Sequence, residues 1–367
     1  MRRVVVLVES HDHVCYRYRY AAFRDGLRSY GWALDPHVLK KTRSGQLTQF
    51  TRLRRADVVV IERKLLPAWQ LFALRRFASS LVFDFDDAVL YHDSYSNKGV
   101  RSGKRQRLFA ATLRTVDRVI AGNWYLAHLA TAWCPRGRVE RIPTCVDPGS
   151  LPYADPVRTE DVELCWIGSR STAKSFVYGG PIFEALGGAI PGIRLRVISD
   201  CFPSFTHLPV IPHRWSVEGE AAALAACDIG VSWLPDDEWS RGKCGLKVLQ
   251  YMAAGLPVVA NPVGPHRELV EHEKTGFLAE TVDDWRASVA LLAANPALRR
   301  HMGMAGRRRV EEHYNVARWI APLANCLDQA ASGSRPSTQR SAASIPQGHF
   351  QRLQTIRTGR STTQTAR

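Results

Sequence analysis

One stretch constrains the fold of this chain more than any other, Gly242 to Gly264, which reads GKCGLKVLQYMAAGLPVVANPVG. Gly245 precedes a run of helix formers, Leu246 to Ala254, and Gly255 followed by Leu256-Pro257 closes that run where a helix C-cap falls. Pro257 to Ala260 is a short apolar, β-branched segment of the kind buried in a parallel sheet. The order is glycine loop, helix, strand, turn, which belongs to an α/β sheet. On the helix, Leu246, Leu249 and Ala253 share one face and Lys247, Gln250, Tyr251 and Ala254 another. The first face is expected in the core; the second offers a cation and an amide. A helix N-terminus behind a glycine loop presents unpaired N–H groups and a partial positive charge, so it binds anions, phosphate above all. Lys243 in the loop and Lys247 in the first turn oppose the helix dipole. An anion held between them accounts for that placement; the alternative is a solvated lysine pair.

At 367 residues, with 45% hydrophobic content, the chain is long enough for two domains that each bury a core. No run approaches the roughly 20 apolar residues of a membrane span, and the apolar start is cut short by Glu9, too early for a signal peptide. A cytoplasmic location is expected. Eight cysteines lie scattered without a C-x-x-C pair or a Cys/His cluster, which argues against a zinc site and suits a reducing compartment. The net charge of +16 divides into +13 for residues 1–150, −3 for 151–330 and +6 for the remainder. The first half is the cationic one, and that asymmetry implies an anionic partner. No RNA-recognition or zinc motif accompanies it, so nucleic acid is not the expected partner.

Residues 3–8, RVVVLV, read as a buried first strand, and no G-x-G-x-x-G follows. Instead His11, Asp12, His13, Tyr16, Arg17 and Arg19 crowd the carboxyl end of that strand, where open α/β sheets bind ligands. These residues are acceptor-side candidates, or else a polar loop leading into an amphipathic helix over Arg17 to Tyr30. A strand at Asp57 to Ile61 and a helix at Pro67 to Ser79 precede LVFDFDDAVLYHD, 81–93. Asp84, Asp86 and Asp87 end the strand there, as a metal site or as hydrogen-bond acceptors. Asn97 to Arg107, NKGVRSGKRQR, reads as a mobile basic loop. Strand, helix and strand resume at 118–121, 124–132 and 139–142, and Pro152 and Pro156 mark a linker. The second domain opens with a strand at Val162 to Ile167 and a glycine turn, Gly168 to Lys174, carrying Arg170 and Lys174. Strands at Ile193 to Ile198 and Asp228 to Trp233 flank a helix at Val217 to Ala226, and Asp236, Asp237 and Glu238 lie in the connection to Gly242. Helical patterns at 282–293, 296–313 and 316–331 complete the fold, and the Ser/Thr/Gln/Arg-rich remainder is expected to be disordered.

The opening stretch, with GPHRELVEHEKTGFLAE (264–280) and NPALRRHMGMAGRRRVEEHYNVARW (295–319), resembles the donor half of the large retaining, sugar-nucleotide-dependent glycosyltransferase family, group 1 or family 4 type. That resemblance implies an α/β chain with the GT-B fold, two Rossmann-like domains facing a cleft. Residues 1–150 would be the acceptor-side domain, 151–315 the donor domain, 316–331 a helix returning to the first domain, and 332–367 a disordered basic tail. The family carries two glutamates eight positions apart around this loop, one on the donor sugar and one on the ribose. Their positions here are Gly242 and Gln250. Gln250 retains a hydrogen bond to ribose, while Gly242 offers the sugar no side chain. Donor diphosphate and nucleotide binding is then implied for Gly168, Arg170, Lys174, Gly242, Lys243, Cys244, Gly245, Lys247 and Gln250, and acceptor contact for His11, Tyr16, Arg17 and Arg19. Lys247, with Asp86, Asp87 and His92, takes the catalytic roles. His92 lies a few residues beyond the place where the family carries a histidine and this chain an aspartate. No metal and no cofactor are expected beyond the nucleotide sugar as co-substrate, and the acceptor is a glycan, a lipid-linked molecule or a small glycoside. The charge of the first half adds a peripheral contact with an anionic membrane surface at its inner face, through Arg17, Arg19, Arg24, Arg28, Lys40, Lys41 and Arg43 and through Lys98, Arg101, Lys104, Arg105 and Arg107. The alternative is a catalytically inert sugar-nucleotide-binding or scaffold protein of the same fold.

Overall fold

The computed structural model describes residues 1–154 and 160–333; the expected linker around Pro156 and nearly all of the expected tail lie outside them. Strands β1 (Arg2–Val8), β2 (Trp32–Val38), β3 (Val58–Glu62), β4 (Leu81–Phe85), β5 (Arg118–Ala121) and β6 (Val139–Arg141) form one parallel sheet in the order β2-β1-β3-β4-β5-β6. The near-continuous apolar runs of β1, β3, β4 and β5 follow from burial on both faces. Val5 and Leu7 of β1 point into a core closed by the helices Arg43–Arg52, Ala68–Phe77, Gly103–Thr115 and Trp124–Thr131. Val4, Val6 and Val8 point the other way, into a core closed by Val14–Arg19, Arg24–Ser29 and the last helix, Val316–Ala331. That last helix buries Val316, Leu323, Leu327 and Ala330 against the first sheet. Its approach is close: a Cβ on Gly26 would lie 2.2 Å from Ile320 Cδ1.

Strands β7 (Glu163–Ile167), β8 (Arg194–Ser199), β9 (Val210–Arg214), β10 (Ile229–Ser232), β11 (Val258–Ala260) and β12 (Gly276–Leu278) form a second parallel sheet in the order β12-β11-β10-β7-β8-β9. Chain direction through the sheet reverses between β1 and β3 and again between β7 and β10, and at such points open α/β sheets form ligand crevices. The two passages of chain between the halves bond to each other, Val146 N–H to Tyr314 O (3.0 Å) and Val316 N–H to Val146 O (3.1 Å).

Three local expectations need correction. The helix expected over Arg17 to Tyr30 breaks at Tyr20, whose ring is fully buried and turns the chain through Ala21–Phe23 before Arg24–Ser29. The basic stretch 97–107 is a loop only at its start, because Ser102 accepts the Arg105 N–H and caps the helix Gly103–Thr115, while Tyr91 bridges Arg101. Tyr251 is not on a polar face: it is fully buried, and its hydroxyl accepts the Ile167 N–H (3.0 Å) and donates to Val231 O (3.3 Å). A helix as short as Leu246–Ala253, enclosed on several sides, has too little outward surface for the two-face reading.

Candidate active site in the interdomain cleft

The helix Leu246–Ala253 begins after Gly245, which holds the left-handed conformation at φ 66° and caps the helix with no side chain. A Cβ there would also meet Leu269 Cδ1 at 2.4 Å, so both backbone and packing require glycine. In the first turn, Lys247 Nζ lies 4.1 Å from the centre of the Trp166 ring. No carboxylate pairs with it among the described residues, and the neighbouring His266 is kept neutral, pushed down to about 4 by burial. Burial, then the charge of Lys243, pushes the Lys247 ammonium down to about 7, although part of its surface stays accessible. Lys243 Nζ sits 3.6 Å above the Trp239 ring and 3.6 Å from Asp87 Oδ1, so it spans the two halves. Asn123 Nδ2 donates to Lys243 O (2.7 Å) and fixes the loop from the first half.

The second glycine turn converges on the same place. A Cβ on Gly168 would lie 2.6 Å from the Trp166 ring, the ring under Lys247. Arg170 and Lys174 project from this turn into solvent. The Arg170 guanidinium is 3.6 Å from Asp200, an exposed pair worth little in itself. Cys244 packs against Gly122 of the first half, and burial, then the Asp86 charge, pushes its thiol well up. Gly242 is buried, and a Cβ there would lie 2.4 Å from Ala88 Cβ and 2.9 Å from Ala88 N. The missing glutamate thus has a packing reason: the first domain closes on that position.

Gln250 is buried in a network that sequence reading missed. Its Nε2 donates to Tyr18 Oη (3.0 Å) and Glu220 Oε1 (3.1 Å), and Glu220 also accepts from Tyr18 Oη (2.8 Å) and Trp215 Nε1 (2.6 Å). Arg17 lies 3.7 Å from Glu220 and over the Trp215 ring. No spacing signals that a glutamate opening a short helix will meet a tyrosine of the other domain.

On the first-domain side, Arg19 and Tyr16 are buried, a correction to their reading as acceptor contacts. Arg19 donates through two nitrogens to Asp84 and through a third to Ile142 O (2.7 Å), and Tyr16 Oη accepts from Arg24 (2.7 Å). His13 caps the helix Val14–Arg19, accepting the Cys15 N–H at Nδ1 (3.3 Å), while His11 is exposed and His92 half-buried beside Val100. Arg63, also missed, follows β3 in the left-handed region at φ 57°. Its guanidinium lies 3.2 Å from Asp86 and 2.5 Å from Asp87, and it touches Cys15 Sγ. The aspartate trio is therefore committed to Arg19 and Arg63. Burial pushes Asp86 up, but Arg63 and Arg19 outweigh it and hold its carboxyl below the ordinary range. The later acids are engaged as well: Asp237 caps Ser240 N–H (2.8 Å), Asp236 pairs with Arg241 and Glu238 with Arg101 of the first half.

Beneath this cluster, burial followed by the charges of Asp86 and Asp84 pushes Glu62 up from 4.5 to about 8. The folded state holds that proton more tightly than the unfolded chain does. Its stabilising contribution is full below about 4.5 and is lost as pH rises through about 8. Glu62→Gln, which stays neutral, should flatten this part of the stability profile between pH 4.5 and 8 in denaturant titrations. An unchanged slope would mean that Glu62 is ionised in the folded protein.

Residues 210–295 match the family described as glycosyl transferases group 1. Over 63 residues the chain is 48% identical to the GDP-Man:Man(3)GlcNAc(2)-PP-Dol alpha-1,2-mannosyltransferase of Dictyostelium discoideum, a match spanning 17% of this chain and 12% of that protein. In three dimensions it is similar to sucrose-phosphate synthase from Thermosynechococcus elongatus, with a TM-score of 0.69 at 15% identity over 91% of this chain and 100% of that one. It is similar also to Anabaena HepE in complex with UDP and glucose, with a TM-score of 0.64 at 15% identity over 90% and 100%. The chain has the GT-B fold. The matched segment of its second domain is of the group 1 glycosyltransferase type, as the resemblance read from the sequence implied.

Proposed function

We propose that this protein moves a glycosyl group from a nucleoside diphosphate sugar to a glycan, lipid-linked or small glycoside acceptor, with retained configuration and without a required metal. The observation that carries the reading is Lys247: an ammonium with no carboxylate partner among the described residues, in the first turn of a glycine-preceded helix, pushed down to about 7 by its surroundings. Such a site suits an anion, and a diphosphate fits it while accepting the helix N–H groups. As the bond from the sugar to the β-phosphate breaks, negative charge grows on the departing diphosphate. Lys247 and Lys243 stabilise that charge from fixed positions, with Arg170 and Lys174 as exposed arms. The names of the similar proteins support a sugar nucleotide as donor: one is a GDP-mannose-dependent mannosyltransferase acting on a dolichol-linked glycan, another was captured with UDP and glucose.

The test is a panel of sugar nucleotides incubated with the full chain in excess chelator, reading released nucleoside diphosphate and thermal stabilisation. Release from one or a few donors is expected. Stabilisation by nucleoside diphosphates without release from any donor would favour the inert binding protein, a reading that rests on Gly242 being closed by Ala88. Release only with magnesium or manganese would overturn the metal-free part.

A further inference from the structure

The excess charge of the first half is not spread evenly over its surface. None of residues 36–56, 63–83, 94–116 and 118–139 is Asp or Glu. These segments supply Arg43–Arg52, Ala68–Phe77, Gly103–Thr115 and Trp124–Thr131, the helices that cover one side of the first sheet. A whole helical layer thus lacks acidic side chains. On it Lys40, Lys41, Arg43, Arg52, Arg54 and Arg55 are all exposed. Beside them two apolar side chains face water on neighbouring helices, Phe72 at 75% and Leu47 at 46% exposure. A groove of about 540 Å³ opens further along the layer, with Arg107 and Arg114 on its wall and the Trp133 ring 5.5 Å from the Arg114 guanidinium.

We infer that this acid-free face docks on an anionic lipid bilayer, with Phe72 and Leu47 entering the boundary between headgroups and acyl chains. The surrounding arginines and lysines would meet lipid phosphates, the groove taking one headgroup. Cations ringing exposed apolar tips match that boundary, where long basic side chains keep their charge in the headgroup layer. A nucleic acid would use the charge but leave Leu47 without a partner, so the membrane is the better match. Arg17, Arg19, Arg24 and Arg28 are not part of the surface: they lie on the helices that cover the other side of the sheet, and Arg19 is buried. Each helix of the layer starts at the carboxyl end of a strand, so the face runs up to the mouth of the cleft. The inference does not depend on glycosyl transfer, because its readout is binding alone.

The experiment is cosedimentation of the full chain with phosphatidylcholine vesicles, with and without phosphatidylglycerol, across a salt series. Binding is expected only to the anionic vesicles and should fade with salt. At about fivefold per well-placed charge, Lys40→Gln/Lys41→Gln/Arg43→Gln should weaken partitioning roughly a hundredfold. Phe72→Ser should weaken it several-fold with the same salt dependence. Arg28→Gln/Arg318→Gln, away from the layer, should change nothing. The basic tail is present in every variant, so a triple variant that partitions like the parent would assign the binding elsewhere and overturn the inference. Equal partitioning onto neutral vesicles, or capture by an oligonucleotide but by no vesicle, would overturn it too.

Discussion

Lys247→Ala is expected to weaken nucleoside diphosphate binding, and turnover of the donor, by roughly ten- to a hundredfold, the loss of one charge-assisted contact worth about 1.5–3 kcal/mol. The fold should not suffer. In the free protein Lys247 has no carboxylate partner among the described residues and is pushed down to about 7, so its removal relieves burial and gives up only the contact with the Trp166 ring. Unfolding by denaturant should therefore show a parent-like or more stable variant, while binding by calorimetry shows the loss. This split separates a ligand-binding lysine from a structural one. A variant that binds and turns over donor like the parent would make Lys247 a bystander over the Trp166 ring.

The largest effect on stability is expected at Arg19–Asp84. Their side chains are only 3% and 2% exposed, and Arg19 donates twice to the carboxylate. Burial pushes Asp84 up, with Arg19 pulling against it, so the carboxylate depends on its partner to stay charged. Arg19→Met leaves a buried carboxylate unpaired and should cost about 3–5 kcal/mol of unfolding free energy at neutral pH. The penalty should shrink in acid, where Asp84 can take a proton. The double variant Arg19→Met/Asp84→Leu should recover most of the loss, since a well-packed apolar pair replaces a buried ion pair at little cost. A single variant as stable as the parent would show the pair to be idle.

What the sequence displays of this arrangement is its alternation. The apolar runs of β1, β3, β4, β5, β7, β8, β10 and β11 read as buried strands because parallel strands covered on both faces carry unbroken hydrophobicity. Strand β2, WALDPHV, went unread: it lies at the sheet edge, is mostly half-exposed and mixes Asp35 and Pro36 into its run. The same holds for β9 at the other edge, with Pro212 and His213. The glycine turn and the helix start that carries Lys247 were legible because a glycine followed by a run of helix formers is local order. Contacts between distant segments were not. Tyr18 meets Glu220 and Gln250 only when the two sheets face each other, and Arg63 meets Asp86 and Asp87 only because β3 and β4 lie side by side in one sheet. Gly242 shows the limit most plainly. From sequence it is a missing glutamate; in the structure it is a contact with Ala88 that leaves no room for one.

Proton-linked calorimetry tests most directly whether Lys247 binds a diphosphate. With its ammonium pushed down to about 7, much of Lys247 is neutral above neutral pH, and a bound anion must raise its pKa again. Nucleoside diphosphate binding, measured near pH 8 in buffers of different ionisation enthalpy, should take up a fraction of a proton. The affinity should rise as pH falls toward 7. Lys247→Met should bind more weakly and lose that proton uptake. Proton-neutral binding by the parent, with affinity flat from pH 9 to 7 and unchanged in the variant, would contradict the assignment.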